Sequence, residues 1–250
     1  GCGVKKEKEA DSELPKIVIG MDYFEPYSYQ ASDGEYKGID VELAKEAFRR
    51  LGYRPKFENI VWEDKDELLA DGTVDCLWSS YSMNGREDKY QWAGPYLYSR
   101  QMVVVKNESE IQTLSDLKGK RIAVQATTKA EDLFLHNIKS DLPQMQQVNC
   151  FSTTNEIYAA LRKSYVDAIA GHEAMLGSLV KEGKDAYRML DESIYKSELG
   201  VAFKKGTHEE VAADLTETLK KLQREGITEK IVTKYGLDAD EILPEGEQNE

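Results

Sequence analysis

A group of hydroxyl-bearing residues followed by an arginine is the clearest candidate for chemistry in this sequence. Ser79, Ser80 and Ser82 directly follow an apolar run that ends at Trp78, and Arg86 comes shortly after them. This run is predicted to be a buried parallel strand, and ligands of open α/β sheets bind at the carboxyl ends of such strands. A guanidinium matches the geometry of a carboxylate, and serine hydroxyls add neutral hydrogen bonds. Arg86 alone would more often form a surface salt bridge, but the serines favour a carboxylate-binding site.

A second place that could attract an anion lies further along the chain. Thr127 and Thr128 precede a segment predicted to be helical, and Thr128 and Glu131 have the spacing of a capping box. The free N–H groups and the dipole at the start of a helix attract anions, although a plain N-cap is equally compatible with this fragment. Phe24, in an early loop, could cover the apolar part of a ligand, although such a residue more often only packs.

Motifs typical of enzymes are missing from the sequence. It contains no G-x-S-x-G, no G-x-x-x-x-G-K and no G-x-G-x-x-G. His172 and Glu173 begin like a zinc-binding H-E-x-x-H, but Leu176 stands where the second histidine belongs. With 3 histidines in the chain, acid–base chemistry has few candidates. We therefore predict a binding protein without a cofactor or a metal, not an enzyme.

Alternating strands and helices must position these residues, which predicts an α/β fold with a largely parallel sheet. Asp40 is the predicted N-cap of the first helix and Gly52 its C′ residue. An extended run at 102–105 leaves the first unit, and no linker rich in Pro, Gly or Ser separates the halves, so the two units resemble a hinged clamp. The predicted strands are 16–20, 56–58, 74–78, 121–124, 166–170 and 201–203, and the predicted helices 40–51, 62–70, 128–138, 153–162, one after 203, and 228–235.

Composition limits the function further. The 250 residues allow one large or two modest domains. With 33 Lys and Arg against 46 Asp and Glu, the formal net charge is −13, which disfavours nucleic acid as a partner. No apolar run approaches the ~18 residues that span a bilayer. The 14 Tyr, 6 Phe and 3 Trp are typical of a folded chain.

The three cysteines suggest a place in the cell. Cys76 and Cys150 lie in strand-like runs and are predicted to be buried free thiols. Cys2 stands at the start and is followed by a charged stretch that suggests a tether. This arrangement is typical of a bacterial lipoprotein from which a signal peptide has been removed, with the lipid on Cys2, although an incidental cysteine is the alternative. We therefore expect an extracytoplasmic protein anchored to the cell membrane by lipid.

An ordered series of motifs gives the sequence a family resemblance. With these motifs in this order, the chain resembles the family 3 extracytoplasmic solute-binding proteins, the amino-acid receptors of bacterial ABC importers, over roughly residues 14 to 240. The series comprises IVIGMD at 17–22 with PY at 26–27, GIDVELA at 38–44, GTVD at 72–75, Arg86 with GPY at 94–96, LKGK at 117–120 and YVDA at 165–168.

The resemblance implies a fold and a function. The fold would be the two-lobed type II periplasmic-binding-protein fold, with a mainly parallel sheet in each lobe and two hinge strands between them. Residues 1–13 would be the tether, 14–103 with 200–250 the first lobe, and 104–199 the second. Such a protein, acting as a monomer, would bind an amino acid or related small carboxylate in its cleft and present it to permease and ATPase subunits. The alternatives are a dehydratase-like enzyme on the same scaffold and a ligand-sensing receptor for a membrane kinase.

The resemblance also implies roles for single residues. The arginine at the place of Arg86 holds the ligand α-carboxylate in this family. Residues at the places of Ser80, Ser82 and Thr128 assist it, and the aromatic ring at the place of Phe24 covers the ligand side chain.

One departure from the family pattern concerns the ligand ammonium group. The family commonly has an aspartate that binds this group at the place where His172 stands here. A neutral imidazole can accept a hydrogen bond from an ammonium but lacks the negative charge. Glu173 could take over this role, or Asp22 or Glu25 could supply the countercharge, or the ligand could be something other than an ordinary α-amino acid.

Overall fold

A computed structural model describes residues 13–136 and 141–244 and shows an α/β protein, as predicted. The elements alternate along both halves of the chain. The strands are β1 Lys16–Met21, β2 Tyr29–Gln30, β3 Tyr36–Lys37, β4 Arg54–Asn59, β5 Cys76–Ser82, β6 Tyr90–Lys106, β7 Arg121–Gln125, β8 Gln147–Phe151, β9 Ala168–His172, β10 Tyr187–Met189 and β11 Tyr195–Lys204. The helices are α1 Ile39–Arg50, α2 Lys65–Ala70, α3 Lys129–Phe134, α4 Thr154–Arg162, α5 Glu173–Glu182, α6 Glu209–Arg224, α7 Ile227–Lys234 and α8 Ala239–Ile242, with 3₁₀ turns at Trp62–Asp64 and Leu114–Leu117.

Two long strands connect two parallel sets of strands. In the first half of the chain β1 pairs in parallel with β4 and β5, and in the second half β7 pairs in parallel with β8 and β9. The strands β6 and β11 are antiparallel to each other, and they pair with β9 and β5, respectively. The strand order is therefore β4-β1-β5-β11-β6-β9-β7-β8, with β10 beside β6.

Buried apolar side chains form separate clusters in the two halves. The first cluster includes Phe48, Trp78 and Leu215 and is surrounded by β1, β4, β5, α1 and α6. Two further clusters, which include Leu133 and Leu176, lie on either side of β7 and β9. We call the elements around the first cluster lobe 1 and those around the other two lobe 2. The strands β6 and β11 run between the lobes.

Helix α1 begins one residue before the predicted N-cap. Gly38 is the N-cap, and the prediction of Asp40 for this place is wrong. The N–H groups of Ile39 and Asp40 donate to the Pro26 and Tyr27 carbonyls, so the first turn needs no side-chain cap. Gly38 has a φ of +119°, and a Cβ there would overlap the Tyr27 carbonyl oxygen, which explains the glycine. At the other end of the helix, Gly52 takes the predicted left-handed conformation with a φ of +82°.

The serine-rich segment belongs to strand β5. The predicted strand ends at Trp78, whereas β5 continues to Ser82, because β11 pairs with this extension and places Leu199 opposite Ser82. All of its residues are buried. Ser80 has a φ of +46°, so the backbone bends within the strand.

The two predicted capping boxes have different outcomes. At α3, Thr128 is the N-cap, but its hydroxyl donates to the Gln125 carbonyl instead of accepting a bond from Glu131, so the predicted box is wrong. The Glu131 carboxylate accepts from the N–H of Thr127 instead. Helix α3 ends at Phe134, and the rest of its predicted range extends into residues 137–140, outside the described part. At α4, the box of Thr153 and Glu156 is confirmed.

The described cysteines are both free, as predicted. Cys76 is buried, but Cys150 is exposed, because it lies on the edge strand β8, so its predicted burial is wrong. Cys2 and most of the predicted tether lie outside the described residues. Among the helices of 13–136 and 141–244, none combines the length and the apolar character needed to cross a bilayer.

Candidate functional site

A small cavity lies between the two lobes. It has a volume of about 30 Å³, which is room for about one or two water molecules. An organic ligand can therefore enter only when the lobes or their side chains move. The cavity is lined by Phe24, Trp62, Ser79, Ser80, Tyr81 and Ser82 from lobe 1, by Gln101 from β6, and by Gln125, Thr128, Lys129, Ile157, Ala170, Gly171, His172, Met175 and Leu176 from lobe 2.

Aromatic rings form one wall of the cavity. Trp62, in the 3₁₀ turn after β4, meets the ring of Phe24 edge to face at 5.6 Å and that of Tyr81 at 5.1 Å, both between ring centroids. The ammonium group of Lys65 lies 5.4 Å from the centroid of the Trp62 ring. This contact adds a cation–π interaction behind the wall. The wall offers an apolar surface of fixed orientation to part of a ligand.

The serines of β5 do not all have the same freedom to bind a ligand. Ser79 Oγ lies 2.7 Å from Ser28 Oγ and accepts a bond from the N–H of Asp22, so it holds the loop after β1. The hydroxyls of Ser80 and Ser82 are buried and have no hydrogen-bond partner within the described chain. Leaving a buried hydroxyl unpaired costs free energy, which a ligand can recover by hydrogen bonding to it.

The backbone of Ser80 is held by a buried carboxyl group. Asp40 Oδ2 accepts a bond of 2.7 Å from the N–H of Ser80 and another of 2.7 Å from the Tyr96 hydroxyl. Burial raises the pKa of Asp40 to about 7, against the effect of these two bonds. Asp40, which the sequence predicts to be the N-cap of α1, thus supports the backbone of the serine-rich segment instead.

Arg86 is buried beside the cavity and connects the two lobes. Its Nη1 donates to the Ser82 carbonyl at 2.9 Å, and its Nη2 donates to Asp132 Oδ2 of α3 at 2.7 Å. The guanidinium also lies 5.0 Å from the centroid of the Tyr81 ring. Arg86 is therefore behind two residues that line the cavity, and its head already holds a carboxylate from lobe 2.

Lys129 also connects the lobes. Its ammonium group donates to the Asn84 carbonyl of lobe 1 at 3.0 Å and lies 4.8 Å from the centroid of the Tyr195 ring. Burial is the main reason why the pKa of Lys129 is lowered from its usual value. This contact places a second cationic side chain at the cavity.

Asp22 approaches lobe 2 without lining the cavity. Its Oδ1 accepts a bond from the N–H of Tyr23 at 2.7 Å, and its Oδ2 accepts one from Gln125 Nε2 at 3.3 Å. Burial raises the pKa of Asp22 to about 6, while these hydrogen bonds act in the opposite direction.

His172 ends strand β9 at the cavity. Its Nδ1 lies 2.8 Å from Ser99 Oγ and 3.2 Å from Gln101 Nε2, and its ring meets the Tyr27 ring edge to face at 5.7 Å. Burial lowers the pKa of His172 to about 4, so the imidazole is neutral at pH 7.

Glu173 and Thr127 lie away from the cavity. Glu173 begins α5, and Arg100 of β6 holds both of its carboxylate oxygens, with Nε at 2.8 Å from Oε2. Thr127 has a φ of +59°, and its hydroxyl is buried without a partner among the described residues. Neither residue is among those that enclose the cavity.

The structure thus brings most of the candidate residues together. Asp22 and Arg86 do not line the cavity themselves, but each forms a hydrogen bond with a residue that does, Gln125 and Ser82 respectively. Several lining residues were not predicted from the sequence. Trp62 and Lys129 could have been found, because an aromatic residue after β4 and a lysine directly after Thr128 both lie next to predicted site residues or strand ends. Nothing in the local sequence indicates that Gln101 lines the cavity. The candidates that line the cavity are Phe24, Ser79, Ser80, Ser82, Thr128 and His172.

One group of side chains near the cavity has atoms suited to a metal ion. Glu131, Asp132 and His136 each place one such atom within 4.8 Å of the others. Asp132 is held by Arg86, however, and a guanidinium at this distance disfavours a second cation. The group does not alter the expectation of a site without a metal.

Two lobes, two long strands between them and a cavity enclosed by both lobes define a two-lobed ligand-binding protein. A family model described as bacterial extracellular solute-binding proteins, family 3, matches residues 17–238. The chain belongs to this family.

Relatives and solved structures agree with this assignment. The L-cystine-binding protein TcyJ of Escherichia coli K12 is 26% identical, over 88% of this chain and 82% of that protein. The histidine-binding periplasmic protein of Salmonella typhimurium is 26% identical, over 88% of this chain and 87% of that protein. An ABC uptake transporter substrate-binding protein from Streptococcus pneumoniae, solved with bound histidine, superposes with a TM-score of 0.82 at 25% identity, covering 93% of this chain and 97% of that one. These similarities confirm the type II periplasmic-binding-protein fold.

Proposed function

We propose that this protein is the extracytoplasmic substrate-binding component of an ABC importer and takes an amino acid or a related small carboxylate between its lobes. The observation that carries this proposal is the cavity, in which two unpartnered serine hydroxyls lie next to a buried arginine. The similarity to binding proteins for cystine and histidine supports it. Permease and ATPase subunits would be the partners of the closed form, and the protein would act as a monomer.

Arg86 is the proposed anchor for the ligand carboxylate. Two of its N–H groups are used by Ser82 and Asp132, and a guanidinium has five, so donors remain for a ligand. Since Asp132 already holds the head of Arg86, a ligand carboxylate would compete with it. Ser80 and Ser82 would add hydrogen bonds from their free hydroxyls.

Closure of the lobes would strengthen these contacts. Residues 14–103 with 200–250 would move relative to 104–199, with β6 and β11 as the hinge. Charge pairs gain strength where water is excluded, so the Arg86–carboxylate interaction would be strongest in the closed form. We also propose that a lipid on Cys2 keeps the protein at the cell membrane.

The alternatives are less well supported. In the dehydratase reading Glu173 would act as acid or base, but Arg100 holds it away from the cavity. The solved ancestral amino-acid-binding protein described as a precursor of cyclohexadienyl dehydratase is 24% identical with a TM-score of 0.78, a similarity of fold alone. A sensor for a membrane kinase would use the same cavity and differs only in its partner.

A thermal-shift screen against amino acids, their derivatives and small carboxylates tests the proposal. A ligand at 100 times its Kd stabilises the folded state by about 2.7 kcal/mol, which raises Tm by roughly 5–10 °C for a chain of this size. Arg86→Ala should lose this shift and still unfold cooperatively. Arg49→Ala removes an exposed arginine of α1 and serves as the control that keeps the shift.

A second variant separates a loss of binding from a loss of the fold. Arg86→Lys keeps the charge but not the planar fork and should weaken binding. An unchanged ligand affinity in Arg86→Ala, measured by calorimetry, would remove Arg86 from the site. The absence of a shift with every amino acid and carboxylate would overturn the proposed ligand class.

A further inference from the structure

A cationic side chain, and no acidic one, is among the described residues that line the cavity. Lys129 lines the cavity with its ammonium group on the Asn84 carbonyl, and Arg86 lies behind Ser82 and Tyr81. Among the described residues that line the cavity, none is acidic, and Lys129 is the basic residue beside the neutral His172. A ligand that brings a positive charge here finds no acidic side chain on the lining, and the charge of Arg86 is balanced by Asp132.

The carboxylates around the site each accept hydrogen bonds from donors of the protein, and the one oxygen among them that is buried without a partner in the described chain, Asp40 Oδ1, belongs to a residue that does not line the cavity. Asp132 is held by Arg86, and Glu173 is held by Arg100. Asp22 accepts bonds from the Tyr23 N–H and from Gln125, and Asp40 accepts bonds from the Ser80 N–H and from Tyr96. If Asp22, Asp40 or Glu173 turned to a ligand ammonium, its donors would be left unpaired, at a cost in free energy. Asp132 differs, because a ligand carboxylate would compete with it for Arg86, but it stays beside the guanidinium and balances its charge.

His172 cannot accept a hydrogen bond from a ligand ammonium. The amide nitrogen of Gln101 can only donate, and it lies 3.2 Å from His172 Nδ1. The Tyr27 hydroxyl donates to Ser99 Oγ. The Ser99 hydroxyl can then donate its own proton to His172 Nδ1, which lies 2.8 Å from Ser99 Oγ. This hydrogen-bond network assigns the lone pair to Nδ1 and the proton to Nε2. The neutral ring therefore has no free acceptor for a cation.

We infer that the site selects carboxylates whose neighbouring substituent is uncharged, such as a keto, hydroxyl or acylated amino group, over free α-amino acids. This inference rests on the proposed function of the cavity. An ammonium buried without a countercharge is costly, whereas an uncharged substituent can pair with the Ser80 and Ser82 hydroxyls. The class includes 2-oxo, 2-hydroxy and N-acyl acids.

Matched compounds test the inference directly. Glutamine, histidine and phenylalanine are each compared with their N-acetyl, 2-oxo and 2-hydroxy counterparts by calorimetry at pH 7. Within a series the side chain and carboxylate are constant, so the difference in Kd reports on the substituent alone. In at least one series we expect an uncharged member to bind at least tenfold more tightly than the free amino acid.

A change at His172 should reverse the preference. His172→Asp adds a negative charge to the lining of the cavity, and should shift the ratio of the Kd values of the free amino acid and its uncharged counterpart at least tenfold towards the free amino acid. His172→Asn, which is neutral, is the matched variant that removes the imidazole without adding a charge, and it should shift the ratio by less than His172→Asp does. Thermal unfolding without ligand shows that each variant is folded.

The outcomes separate this inference from the proposed function. Tighter binding of the free amino acid in the wild type overturns the inference and leaves the proposed function intact. Binding of neither series overturns both. If His172→Asp does not fold, the wild-type series alone decides the question.

Discussion

The contact between Arg86 and Asp132 allows the proposed competition for the arginine to be measured. Asp132→Asn keeps the size of the side chain but removes its charge. Because a ligand carboxylate would compete with Asp132 for the head of Arg86, we expect the variant to bind its carboxylate ligand more tightly. We also expect it to be less stable than the wild type without ligand.

The geometry of this ion pair gives the size of the effect. At the observed 2.7 Å, two unit charges attract each other by about 6 kcal/mol at an effective dielectric constant of ~20. Desolvation offsets much of this attraction, since Arg86 is 8% and Asp132 23% exposed. A net contribution of about 1.5 kcal/mol remains for such a charged hydrogen bond. This value corresponds to about a tenfold lower Kd and to a Tm about 3–6 °C lower without ligand.

Calorimetry with the carboxylate that gives the largest thermal shift provides the assay. Glu63→Gln is the matched control, because Glu63 accepts a hydrogen bond from Ser152 across the lobes without touching Arg86. It should weaken the contact between the lobes without raising affinity. The double variant Arg86→Ala/Asp132→Asn should bind the carboxylate no more tightly than Arg86→Ala does, since Asp132 has nothing to compete for once Arg86 is removed.

Weaker binding in Asp132→Asn would refute this reasoning. That result would mean that Asp132 contacts the ligand itself, as a countercharge for an ammonium group. An unchanged Kd would mean that the ligand carboxylate uses only the N–H groups of Arg86 that Asp132 leaves free.

Three further predictions concern stability and the thiols. Burial lowers the pKa of His172 from 6.5 to about 4, so the unfolded chain takes up a proton in this pH range while the folded chain does not. Between pH 6.5 and 4 the wild type should therefore lose about 3 kcal/mol of unfolding free energy relative to His172→Asn, measured by urea unfolding. Parallel pH profiles of the two proteins would contradict this prediction. Gly38→Ala should lower Tm by at least twice as much as Gly52→Ala, since both positions have positive φ but only the first lacks room for a Cβ; equal losses would contradict it. A thiol reagent should modify Cys150 in the folded protein and Cys76 only after denaturation; equal rates in the folded state would contradict the described burial.

Much of the fold could be predicted from local patterns in the sequence. The apolar runs at 16–20, 121–124 and 201–203 lie in β1, β7 and β11, because short runs of β-branched and apolar residues suit a buried strand whatever surrounds them. The ends of the strands are harder to predict. Strand β5 reaches Ser82 because β11, more than a hundred residues later, pairs with it, and no local signal announces that pairing.

The candidate site shows the same division between local and distant information. Ser80, Ser82 and His172 could be singled out by type and position, and all three line the cavity. The partner of Arg86 could not be predicted, since Asp132 is one of many acidic residues and only the approach of the two lobes selects it. The boundaries of the two lobes also stay a prediction.

The surroundings of His172 connect the cavity to the two long strands between the lobes. Ser99 and Gln101 belong to β6, and Gln101 also donates to Ser197 of β11 at 3.1 Å, so both strands are linked to one imidazole. Because these neighbours supply hydrogen-bond donors, a neutral acceptor fits among them without a countercharge. An aspartate at this place would bring a negative charge between these donors, and a bound ammonium could balance it. We therefore expect a substitution at position 172 to change both the charge of the preferred ligand and the contacts between β6 and β11.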